Sequence, residues 1–109
     1  MTKQQALDKA IKLLSDMQKN DKKINNVLNS YQKNPKSVAF HEKQLKELEN
    51  EDNRLYFEYY YFMKNLFGEM CQEEMLKFKD GFVDINFAKY MFKTYKPNLK
   101  KGENNGKKK

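Results

Sequence analysis

Leu55-Tyr56-Phe57-Glu58-Tyr59-Tyr60-Tyr61-Phe62-Met63 decides how this chain is read. Six of the nine residues are aromatic. At 100° per residue Tyr56, Phe57, Tyr59, Tyr60, Tyr61 and Phe62 surround a whole helix, so one neighbouring helix cannot bury them all. The run sits at the centre of a longer helical stretch, Ser37 to Asp80, around which the other segments are organised.

Working outward toward the N-terminus, Val38, His41, Leu45, Leu48, Asp52, Leu55, Tyr59, Phe62 and Leu66 recur at alternating three and four spacings, a heptad seam. Ser37 serves as N-cap. Before it, Asn34-Pro35 interrupts the helical pattern, because the residue preceding proline is pushed out of the α region. The preceding segment carries a seam of its own: Leu7, Ala10, Leu14, Met17, Asp21, Ile24, Leu28 and Tyr31. Thr2 with Gln5 three residues on forms a capping box. Two helices, about 2–33 and 37–79, therefore fold into an antiparallel hairpin in which residue i faces roughly residue 69 − i. In that register the seam acids Asp21 and Asp52 do not meet and act as polar residues that set register.

Working outward toward the C-terminus, the heptad slips beyond Leu66, where Met63, Phe67, Met70, Glu74 and Phe78 take the facing positions. Gly68 lies at the slip and marks the point where a kink would fall. Asp80-Gly81-Phe82 has the form of a Schellman stop. An unbroken second helix would be roughly 60 Å long, too long for a compact domain of this size. Asp84 or Asn86 caps a third helix, about 85–95, closed by Pro97. Its Phe87, Tyr90, Met91, Thr94 and Tyr95 share one face and Lys89, Lys93 and Lys96 the other.

The expected fold class is thus all-α: a long, coiled-coil-like antiparallel hairpin, with the short third helix packed on the end of the long second one. Residues 1–96 form one domain, and 97–109 a disordered Lys-rich tail. In this arrangement the aromatic run falls where the ends of the first and third helices meet.

The net charge is +7, and its layout is uneven: +4 over residues 1–34, −3 over 35–80 and +6 over 81–109. Basic ends around an acidic middle favour antiparallel docking within the chain and leave the ends to seek a polyanion. Arg54 is the one arginine, which weakens bidentate readout of guanine or phosphate. The Lys, Asn, Tyr, Phe and Ile bias reads as the imprint of an AT-rich coding genome. Cys71 is the one cysteine, which excludes an internal disulfide. No run approaches the ~20 apolar residues of a membrane span, and the N-terminus lacks a signal-peptide core. The expected setting is cytoplasmic, with no membrane contact.

For catalysis the inventory is poor. His41 lies on the seam about thirty residues from Cys71, so they form no Cys/His pair. Glu69, Glu73 and Glu74 read as a solvated acidic face, and Asp80, Asp84 and Asn86 lack the glycine and glutamate of a calcium loop. No catalytic residue, metal site, cofactor or small-molecule substrate is assigned. The expected function is that of a non-enzymatic interaction protein, a homodimer that binds a macromolecular partner, of the accessory or inhibitor kind found in phages and mobile elements. Its partner or dimer interface comprises Tyr56, Phe57, Tyr59, Tyr60, Tyr61, Phe62 and Phe67. Three covers for these rings stay open: the first and third helices, a second copy, or a nucleic acid or other protein. The alternative function is nucleic-acid binding, with Lys89, Lys93, Lys96, Lys100 and Lys101 on the phosphates.

Overall fold

The computed structural model describes residues 1–33, 36 and 38–99. The chain is all-α: α1 (Lys3–Lys33), α2 (Val38–Phe67), α3 (Glu69–Phe78), a 3-10 turn (Lys79–Phe82) and α4 (Ile85–Thr94), with no strand among the described residues. At its N-terminus α1 carries the reciprocal capping box its sequence announces. The Gln5 amide donates to Thr2 Oγ1 at 3.1 Å and the Thr2 amide to Gln5 Oε1 at 2.8 Å, which satisfies backbone groups a helix start leaves unpaired.

Helices α1 and α2 form the antiparallel hairpin. Asn20 crosses it, donating from Nδ2 to the Leu48 carbonyl at 2.7 Å. That pairing agrees with the expected register to one residue. Because the Asn20 side chain is buried, slipping the helices would leave its amide unsatisfied, so the bond selects this alignment. Burial then fades toward the hairpin tip. Leu13, Leu14, Met17 and Leu55 are buried, whereas Leu28, Tyr31, Val38 and Phe40 are exposed. Two helices alone can bury only a narrow seam; at the other end a third helix widens it.

The long second helix is not continuous to residue 79. It ends at Phe67, and Gly68 adopts φ +60°. In this left-handed conformation the Gly68 amide donates to the Lys64 carbonyl at 2.7 Å, and the Gly68 carbonyl accepts from Cys71 at 3.1 Å to start α3. Gly68 is thus the C-terminal stop that was expected at Gly81. Gly81 has no positive φ and sits in the 3-10 turn, so no Schellman motif forms there. Physically, a straight helix would have carried the residues after Gly68 out along a rod beyond the reach of α1; the turn at Gly68 swings α3 back, and Cys71 is buried.

Asp84 caps α4, its Oδ1 accepting from the Asn86 amide at 2.7 Å. The helix packs on α3 as expected, through Phe78 against Phe87 at 5.1 Å, and also reaches α2, through Phe67 against Phe92 at 5.0 Å. It also runs close against α1. Ala6, Ala10 and Ala88 are fully buried; such small side chains let backbones approach closely. The core therefore sits where α1, α2 and α4 converge, with Tyr59, Phe62, Met63, Leu66, Phe87 and Met91 at its centre.

The domain does not stop at 96. Pro97 is buried, Leu99 packs against the core, and the Asn98 amide donates to the Leu66 carbonyl at 2.7 Å. The segment after α4 thus supplies a donor to a carbonyl at the end of α2 that the break at Gly68 leaves without a helical partner. The Asn34-Pro35 break, the Ser37 cap and the tail from Lys100 to Lys109 lie outside the described residues.

A Cβ at Gly68 would meet nothing within 4 Å, so the cost of Gly68→Ala is the left-handed backbone alone, about 1–2 kcal/mol. Gly68→Asn is expected to lose less. Urea unfolding followed by circular dichroism measures both, and a neutral or stabilising alanine would show that the break is not required.

Candidate interaction surface

The aromatic run divides between inside and outside. Tyr59 and Phe62 are buried within the chain, as is Phe67 further along α2. These three, expected at an interface, belong instead to the core, because they share the face of α2 that α1 and α4 cover. Tyr59 donates its hydroxyl to the Phe82 carbonyl at 2.7 Å, and burial pushes its phenol well above the usual range. The 3-10 turn, and not the end of α4, therefore closes over this part of α2.

The other four rings form a plaque. Tyr56 stacks on Tyr60 (6.4 Å, 8°) and Phe57 on Tyr61 (6.2 Å, 24°), each pair one turn apart. Edge contacts join the columns, Tyr56 to Phe57 at 5.3 Å and Tyr60 to Tyr61 at 5.1 Å. The inner column is half-buried: Tyr56 meets Phe82 at 5.6 Å and the Tyr60 hydroxyl accepts from Gln72 Nε2 at 3.3 Å. The outer column points away from the hairpin, with Phe57 52% and Tyr61 53% exposed. An open cleft of about 360 Å³ lies between Tyr60 of the inner column and Gln72, Met75 and Leu76 of α3. Leu76 is 78% exposed, more than any other large apolar side chain of the described chain. Lys64 Nζ lies 5.9 Å from the Tyr60 ring centre, at the far end of the plaque.

Glu74 is not part of a solvated acidic face. It is 3% exposed and accepts hydrogen bonds from the hydroxyls of Tyr95 and Tyr90, the latter at 3.2 Å, with Lys77 Nζ at 3.8 Å. The Tyr95 bond, and after it that of Tyr90, holds the Glu74 carboxyl below the usual range; the same Glu74 bond raises the Tyr95 phenol to about 12. A buried carboxylate needs such donors, and here they tie α3 to α4. The only signal in the sequence was Glu74 in a facing position of the slipped heptad.

The seam acids do meet, contrary to expectation. Asp21 and Asp52 line one groove with Leu14, Met17 and Tyr56. Burial first, and the Asp52 carboxylate beside it, push the Asp21 carboxyl above the usual range. A uniform 69 − i rule places Asp52 at Met17; it misses that a side chain one turn further along α1 reaches the same position.

The remaining chemistry-bearing groups are each built into packing. Cys71 is fully buried and burial pushes its thiol up to about 11; His41 is buried between the rings of Tyr31 and Phe40, both at 5.7 Å. Among the described residues no three His, Cys, Asp or Glu side chains converge as a metal site, and no helix is long and apolar enough to cross a membrane. Lys89 and Lys93 are exposed on α4, whereas Lys96, also exposed, lies beyond its end at Thr94, after the extended Tyr95; Lys100 and Lys101 lie outside the described residues. Comparison with protein families, curated proteins and solved structures gives no match.

The two carboxyl sites respond to pH with opposite signs. Glu74 is lowered on folding, so its contribution is complete above its unfolded value and is lost as pH falls through the folded one. Asp21 is raised, so its protonated form favours the fold and stability is lost as pH rises through its folded value. Glu74→Gln should therefore destabilise at neutral pH and flatten the acid limb of a stability profile below about pH 4.5. Asp21→Asn should stabilise at neutral pH by ~0.5 kcal/mol, a value discounted for solvent screening. Urea midpoints between acid and neutral pH measure both.

Proposed function

We propose that the chain is a non-enzymatic helical interaction protein that self-associates and acts by holding a macromolecular partner against the outer face of α2 and α3. One observation carries this reading: the plaque of four packed rings whose outer column, Phe57 and Tyr61, stays open, while α3 leaves Leu76 exposed beside the inner ring Tyr60. Aromatic side chains give the largest apolar area per ordered torsion and dominate interface energetics. Here the rings are held by one another before any partner arrives, which lowers the entropy cost of docking. Large apolar side chains grouped on one outward face are how an interaction site differs from scattered surface hydrophobics. The groups that could do covalent or acid–base chemistry support the same reading, since Cys71, His41 and Glu74 are each occupied in packing or hydrogen bonding.

Phe57→Ala and Tyr61→Ala remove outward rings only, so each should change the urea midpoint little, by no more than ~1 kcal/mol. Each should nevertheless abolish retention of the partner in affinity capture from nuclease-treated lysate. Equal capture by wild type and both variants would remove the plaque from the reading.

A second reading rests on Lys89, Lys93 and Lys96, all exposed and without an ion-pair partner among the described residues. Lys89 and Lys93 on α4, with Lys96 just beyond its end, offer phosphate contacts to a nucleic acid. Such binding would give a mobility shift at low salt that weakens steeply as salt is added, with roughly one unit of log–log slope lost per lysine neutralised. Absence of any shift at low salt would dismiss it.

A further inference from the structure

Resting on the interaction reading above, we propose that the plaque of α2 is occupied by the exposed face of α3 from a second copy of this chain, and reciprocally. The two surfaces complement one another in charge. On α2 the outward arc holds Phe57, Tyr61 and Lys64, and the nearby Arg54 is neutralised by Glu51 at 2.7 Å and Glu58 at 3.0 Å. The Lys64 ammonium makes no ion pair among the described residues and lies over the Tyr60 ring. On α3 the outward arc holds Glu69, Gln72, Glu73 and Leu76, all exposed, with Glu69 and Glu73 equally without a cation among the described residues. An apolar contact flanked by an unpaired base thus faces an apolar contact flanked by unpaired acids.

The spacing matches as well. Leu76 and Glu69 are seven residues apart on α3, and Phe57 and Lys64 are seven apart on α2. Seven residues are two turns, so each pair shares one face at a separation of about 10.5 Å. Laid antiparallel, α3 of one copy places Leu76 over Phe57 and Tyr61 of the other while Glu69 reaches Lys64. Between them, Gln72 and Glu73 fall opposite Tyr61 and Tyr60, whose hydroxyls are donors for a carboxylate.

Reciprocity follows from the cleft. Its walls are Tyr60 of α2 and Gln72, Met75 and Leu76 of α3, so the donor and acceptor surfaces flank one depression, and a two-fold axis through it engages both at once. Area argues for the reciprocal arrangement over a one-sided one. Each half-exposed ring offers on the order of 100 Å², and Leu76 a comparable amount, which on one copy is an ordinary surface patch. Using every contact twice brings the total into the class of small, reversible interfaces, under about 1,200 Å².

Sedimentation equilibrium of the full chain, from micromolar to millimolar concentration, tests this. The expected result is a reversible dimer that weakens with salt. Leu76→Glu should abolish it; because Leu76 is exposed, that variant should keep its helicity by circular dichroism. Lys64→Glu and Glu69→Lys should each raise the dissociation constant about tenfold, since the pair recurs twice in the dimer, and the double variant should recover most of the loss. A dimer indifferent to Leu76→Glu and to the charge exchange would overturn this register while leaving self-association intact. A monomer at millimolar concentration overturns the inference altogether and the self-association in the reading above with it; if Phe57→Ala still loses a captured partner, the plaque serves a foreign protein and the partner-binding part of that reading stands.

Discussion

Everything in this fold depends on one backbone conformation, the left-handed turn at Gly68. A continuous helix from residue 38 to 78 would place its last ten residues on a rod that α1 is too short to cover. Breaking at φ +60° costs a non-glycine residue about 1–2 kcal/mol and glycine almost none. In return Cys71 and Glu74 turn inward, α4 gains two surfaces to pack on, and the chain beyond it closes the exposed end of α2 through Asn98. The longest dimension is 52 Å, shorter than the roughly 60 Å an unbroken second helix would need.

That turn also makes the molecule unequal end to end. Where α4 joins the hairpin, the seam of α1 is flanked by a second buried row, and Ala6, Ala10 and Leu13 lie inside. Toward the tip only two helices meet, and Phe40 is 62% exposed although it stands within the same helix that buries Phe62. The register is accordingly held from the middle, by Asn20 on the Leu48 carbonyl, and not by the tip. Asp21 and Asp52 sit just tipward of the deep core, where water still reaches them, so the pair weakens the hairpin without breaking it.

The fold class, the hairpin register and the caps of α1 and α4 were legible because each rests on local chemistry: the Thr2/Gln5 box, the Asp84 cap and the two heptad seams. Gly68 was visible as a slip but not as a stop, since an isolated glycine inside a helical pattern is often tolerated and only tertiary packing decides otherwise. The Gly81 reading failed for the complementary reason: a glycine followed by a hydrophobic residue permits a left-handed cap without compelling one. Glu74 was unreadable in kind. Its carboxylate is stabilised by two tyrosines sixteen and twenty-one residues away, and no spacing rule joins them. Within the aromatic run, the sequence showed that a single helix could not cover all six rings, but not which would be left out.

Which rings are left out follows from the angle between the covering elements. The hairpin seam and α4 take Tyr59 and Phe62; the 3-10 turn, whose Phe82 carbonyl accepts from Tyr59, takes the side of Tyr56 with the Phe82 ring. Both covers lie on adjacent faces of α2, so the face opposite the seam has nothing left to meet it, and that face carries Phe57 and Tyr61. Stability alone would favour polar residues there, as at Asn53 and Asn50 one and two turns earlier on the same arc. Two large rings in that position, supported by two more that are half-buried, cost solvation in the free chain. Their packing into a plaque does not recover that cost, because the exposed faces of Phe57 and Tyr61 remain in water. What would recover it is a surface laid over them, which is why the proposed binding site is the outer column of the plaque and not the rings buried in the core.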